Sequence, residues 1–138
     1  MKTFTINDHI ELTEEDITDL IIDGIESGIS YWACLHNDTD EFKYQYEMNK
    51  DISTSEIAAN IILNGGSVEI TDVEEDEEPN YDLDLDGIIY AINEYDKEFG
   101  FDINEYDAET CDWIIQKAIF DDIIFGWWKK FILYLISQ

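Results

Sequence analysis

The chain has 138 residues, of which 34 are Asp or Glu, seven are Lys and none is Arg, for a formal net charge of −27. That balance excludes direct binding to nucleic acid or to an anionic membrane surface, because the cations that neutralise phosphate are missing. The 45% hydrophobic and 14% aromatic content excludes a disordered acidic tail, and a chain of this length is expected to form one domain over residues 1–138.

Residues 2–12 alternate loosely through Phe4, Ile6, Ile10 and Leu12 and read as a first strand. Thr13 and Asp16 have the spacing of a helix start. Ile17, Leu20, Ile21 and Ile25 then form an apolar stripe that Gly28 stops. Residues 29–36 read as a strand, and Asn37 to Asp40 as a turn. Phe42, Tyr44, Tyr46 and Met48 alternate with Lys43, Gln45 and Glu47, the pattern of a half-buried strand. Ser53 and Glu56 mark the start of a helix through Ile57, Ile61 and Ile62, ended by Asn64-Gly65-Gly66. Val68 and Ile70 indicate another strand.

Nine of the fifteen residues from Asp72 to Asp86 are acidic. Residues 73–80, with Pro79, are expected to be an exposed loop, and Tyr81, Leu83 and Leu85 to be the apolar face of a strand whose other face carries Asp82, Asp84 and Asp86. Ile88, Ile89, Ile92, Tyr95 and Phe99 mark a helix stopped by Gly100. Asp107 caps the helix on which the rest is organised, with Cys111, Ile114, Ile115, Ala118 and Ile119 on one face. Ile123-Ile-Phe125 before Gly126 reads as a short buried strand. Residues 127–136 are aromatic and apolar, with Lys129 and Lys130 among them. Against a net negative charge they suit burial in the core or in a homodimer interface better than a membrane surface. Strands interleaved with helices and hairpin signals predict an α+β domain, a mostly antiparallel sheet packed with about four helices.

Chemistry-bearing motifs are few. Asp82-x-Asp84-x-Asp86-Gly87 matches the first half of an EF-hand calcium loop, but Asn93 stands where the bidentate acid belongs and no helix precedes. Cys34 and His36 share a strand face without an orienting partner, and both Cys34 and Cys111 read as small buried hydrophobes rather than a disulfide or a nucleophile. His9 stands alone, and neither zinc spacing nor a phosphate-cradling glycine loop is present. No catalytic set emerges, so the expectation is a non-enzyme that needs no cofactor. With no signal-peptide core and no uninterrupted apolar run of about 18 residues, a cytoplasmic protein is expected.

Three segments together carry a resemblance: Gly28-Ile-Ser-Tyr-Trp32, Gly65-Gly-Ser-Val-Glu-Ile-Thr-Asp72, and Asp107 through Gln116 with Ala118, Phe120 and Ile123 to Gly126. In that order, over residues 13–126, they resemble a family of small acidic proteins encoded by phages and mobile elements of low-GC Gram-positive bacteria. The resemblance implies a context, not an activity, in which small acidic products disarm host defence, some as DNA-mimicking CRISPR inhibitors. Rows of carboxylates can imitate a phosphate backbone. Glu74, Glu75, Asp76, Glu77, Glu78, Asp82, Asp84 and Asp86 are therefore the expected contact with a basic surface of a host nuclease or nucleic-acid-binding protein. Helix one, through Glu14, Glu15, Asp19, Asp23 and Glu26, adds a second acidic face. A phage protein that sequesters a signalling nucleotide is the alternative, and a calcium-binding protein the third reading.

Overall fold

The first element is a hairpin of β1 (Thr3–Ile6) and β2 (Ile10–Thr13), where a single strand was expected. Its loop turns because Asn7 and Asp8 adopt φ of 49° and 68°, a left-handed conformation that Asn and Asp tolerate better than other residues with a Cβ. Thr13 then caps α1 (Glu14–Asp23) through the reciprocal bonds anticipated from its spacing to Asp16, at 3.0 and 2.9 Å. Next come a π-helical turn (Gly24–Gly28), β3 (Ala33–His36), α2 (Asp40–Met48), α3 (Thr54–Leu63), β4 (Ser67–Asp72), β5 (Asn80–Asp84), α4 (Leu85–Phe99) and α5 (Ala108–Phe120). The computed structural model describes residues 2–73 and 80–126. The expected exposed loop therefore lies outside the described residues through most of its length, and the apolar segment 127–136 throughout.

Among the described residues, five α-helices and two antiparallel sheets make an α+β domain, with order β1-β2 in one sheet and β3-β4-β5 in the other. Val68 and Ile70 of β4 and Leu83 of β5 are buried on the inner sheet face, in one core with Ile17, Leu20 and Ile21 of α1, Ile88 and Ile92 of α4, and Ile114 and Ile115 of α5. Each such side chain contributes about 2 kcal/mol by leaving water. Trp32 joins the layers: its ring stacks on Phe125 at 4.5 Å and tilts against Phe120 at 5.8 Å, and Phe120 meets Tyr81 of β5 edge-on at 4.7 Å. The hairpin is fastened to α4 by Asn7, whose backbone N–H and side-chain amide bind the side-chain oxygen and carbonyl of Asn93, each at 2.8 Å.

Several local expectations are corrected. The segment 42–48 is helix, not strand. Thr39 accepts from the Phe42 N–H, Asp40 and Glu41 sit at the positive end of the helix dipole, and Glu41 pairs with Gln45 one turn on at 2.9 Å. Only Phe42 is buried, while Tyr44, Tyr46 and Met48 are exposed, so the alternation had no half to bury. The strand through Ala33–His36 is shorter than 29–36, since residues 29–32 form a turn in which Ala33 N–H bonds to Ile29 O at 2.9 Å. Residues 123–125 are not a strand: the Ile124 N–H and the Phe125 N–H and carbonyl bond to the Gln116 side chain, and the Ile123 N–H bonds to the Asp122 carboxylate at 2.8 Å. Cys111 is fully buried as expected, but Cys34 is exposed because it points to the outer sheet face.

Candidate functional site

The outer face of the β3-β4-β5 sheet collects charge in register. Pairing sets His36 of β3 opposite Glu69 of β4, and Glu69 opposite Asp82 of β5. Directly opposed residues have Cβ atoms about 5 Å apart, and like charges there are destabilising. Asp84 lies two residues beyond Asp82 on the same face, and both are exposed. Glu69 accepts a bond from the Asn80 amide at 3.1 Å, and Asn80 accepts from Thr71 at 2.6 Å. These donors are neutral and leave the charge in place.

Of the expected contact residues, the structure places Asp82 and Asp84 on this face. Asp84 doubles as the cap of α4, accepting from the Gly87 N–H at 2.9 Å. Asp86 is not the third rung of the ladder, because β5 ends at Asp84 and Asp86 enters the first turn of α4. For the same reason Asp82, Asp84 and Asp86 do not converge as a calcium loop requires, and no metal-holding group of His, Cys, Asp and Glu occurs among the described residues. Glu74, Glu75, Asp76, Glu77 and Glu78 lie outside the described residues. The acidic face of helix one is present: Glu14, Glu15, Asp19, Asp23 and Glu26 all keep contact with solvent, the last on the π-helical turn.

In a chain without arginine, hydroxyl, amide and indole donors stand beside the carboxylates. Among the described residues, lysine meets a carboxylate only at Asp38, Glu47 and Asp121. Tyrosine hydroxyls donate to Asp112, Asp121 and Asp23, each at 2.6 Å, from Tyr31, Tyr90 and Tyr106 respectively. Burial, together with the adjacent aspartates, holds the Tyr31 and Tyr106 hydroxyls well above the usual phenol range; the bond to Asp121 and burial push Tyr90 up to about 12. Asp96 is drawn two ways. Burial pushes its carboxyl up, but the donors Asn7, Phe101 N–H and His9 together bring it below its ordinary value.

Asp112 is the hub of a second arrangement that the sequence did not disclose. It accepts from Tyr31 Oη at 2.6 Å, Trp32 Nε1 at 2.8 Å and Gln116 Nε2 at 2.9 Å. Gln116 is fully buried and makes all four bonds its amide permits, the other three going to Ile124 N–H, Phe125 N–H and Phe125 O. Gly28 brings the π-helical turn close to α5, since a Cβ there would sit 3.0 Å from Ala108 O and 3.1 Å from Asp112 N. Above this floor lies a groove of about 630 Å³, lined by Tyr31, Trp113, Phe125, Glu109 and Asp112 among others.

Cys34 and His36 share the outer face as expected, but Cys34 is exposed, and burial with the charges of Asp23, Asp107 and Asp112 pushes the Cys111 thiol up to about 12, far from a reactive thiolate. No helix among the described residues is long and apolar enough to cross a membrane. Comparison with protein-family models, curated proteins and solved structures returned no match, so function is read from the geometry.

Proposed function

We propose that the chain is a non-enzymatic, acidic binding protein that docks on a basic surface of another protein, taking the place of nucleic acid on a nuclease or a nucleic-acid-binding complex in the host cytoplasm. The observation that supports this reading is the Glu69–Asp82 opposition beside Asp84, on a sheet face where no lysine pairs with any of the three among the described residues. Repulsion held in a rigid array is relieved when a cationic surface covers it, so folding and binding pull in opposite directions at these positions. Long-range attraction would speed association and make it sensitive to salt. The motif resemblance to small acidic phage proteins is in keeping with such a role.

The test is displacement of a labelled DNA duplex from a basic nuclease. The chain is expected to release the duplex at low salt and progressively less at high salt. Reversing Asp82 together with Glu74 to Glu78, with Asp84 and Asp86 kept because they cap and open α4, should abolish displacement while the circular dichroism spectrum is unchanged. Undiminished displacement by that variant defeats the proposal.

The groove beside α5 is the one observation that favours a small-molecule reading. It carries Glu109 and Asp112 in its wall and no lysine among its described lining residues, so a signalling nucleotide would meet repulsion at its phosphates. A nucleotide co-purifying with the chain, seen by mass spectrometry, would favour that second reading over docking on protein.

A further inference from the structure

We propose that the groove beside α5 receives one arginine side chain of a basic protein partner. The kind of partner rests on the acidic-binder reading above; the choice of residue rests on the groove itself. Glu109 and Asp112 lie one turn apart on α5, with Trp113 next to them and Tyr31 and Phe125 also in the described wall. The three donors to Asp112 are all neutral, so its negative charge is oriented but not cancelled. Its Oδ1 holds two of them and its Oδ2 only the Tyr31 hydroxyl, which leaves Oδ2 room for a further donor.

A purely apolar occupant would bury Asp112 without replacing its water, which is costly. An anion would be repelled by two carboxylates. A cation with a flat, weakly hydrated head satisfies both demands, stacking on Trp113 or Tyr31 while its fork reaches the carboxylates; lysine offers a point charge and no plane. Lys117, beside Trp113, does not line the groove: its Nζ sits 6.0 Å from the Trp113 ring centre, 3.2 Å from Asp121 O and 3.5 Å from the Asp121 carboxylate. The floor is preorganised, because the Gln116 amide that fixes Asp112 has no bond left to change.

Two short peptides, one alternating glycine with arginine and one alternating glycine with lysine, are titrated into the isotopically labelled full chain and followed by NMR. The arginine peptide is expected to shift the Trp113 indole and the Gln116 side-chain amide and to bind about fivefold tighter than the lysine peptide. Glu109→Gln should reduce that preference to less than about twofold while both peptides still perturb the Glu69 and Asp82 amides. Equal affinities, with shifts confined to the sheet face, would overturn the groove proposal and leave the acidic-binder reading standing. Absence of binding by either peptide would overturn both. Groove shifts that appear without peptide and vanish on dilution would identify a second copy of the chain as occupant, and that too overturns the arginine assignment.

Discussion

A carboxylate needs hydrogen-bond donors before it needs a countercharge, and in a chain without arginine Asp112, Asp23 and Asp121 each take one from a phenol. A tyrosine hydroxyl supplies a directed bond to each but returns no positive charge. The effect is measurable at the tyrosines themselves. Because their folded-state values are raised, these pairs stabilise the fold fully below the ordinary phenol range near 10, and that contribution is lost as pH rises through the higher folded values. Spectrophotometric titration should show a late-ionising group at about 12 that disappears in Tyr90→Phe; unchanged titration in that variant would refute the pairing. Gln116 is the other decisive residue. Gln116→Met keeps the volume but strands the Ile124 and Phe125 backbone groups, so urea unfolding should register a loss of about 3 kcal/mol. A loss under about 1 kcal/mol would mean that water replaces the amide.

At the level of elements, capping chemistry was the most legible signal, while alternation served at β5 and failed at 42–48. Thr13, Ser53 and Asp107 each cap the helix their spacing announced, and the α5 stripe through Cys111, Ile114 and Ile115 is buried as its period required. Alternation failed at 42–48 because period two is a statement about burial, and a helix exposed on nearly every side imposes no period of its own. The hairpin was read as one strand because Asn7-Asp8 lacks the glycine that usually announces so tight a turn. The candidate site divided along the same line. Asp82 and Asp84 were found from their strand pattern, whereas Glu69 opposite Asp82 is a matter of register, and the Asp112 hub depends on contacts some 80 residues apart in sequence, which no local pattern contains. Register also yields a prediction: Asp82→Asn removes the like-charge opposition and should raise stability by about 0.5 kcal/mol in urea unfolding, while weakening attachment to a basic partner. A destabilised Asp82→Asn would show that the opposition is already relieved in the free protein.

Over the whole molecule, a net charge of −27 sets how the fold answers salt and acid. Screening weakens self-repulsion, so the melting temperature should climb as sodium chloride rises from low to physiological concentration. Acid acts in two stages of opposite sign. Partial protonation of ordinary carboxylates first relieves repulsion. Asp96 and Asp107 act the other way: their folded-state values are depressed, so their contribution is intact above the unfolded value near 4 and is lost as pH falls through the folded one. Stability should therefore pass through a maximum near pH 5, and a steady decline from pH 7 downward would contradict this role for the charge. What the fold does with that charge is best settled by calorimetric titration of a basic nuclease with the wild-type chain and with the Glu69→Gln, Asp82→Asn double variant at two salt concentrations. The outer sheet face predicts at least about tenfold weaker binding by the variant at low salt, with the gap closing at high salt. Equal affinities at low salt, in a variant that remains folded, would contradict it.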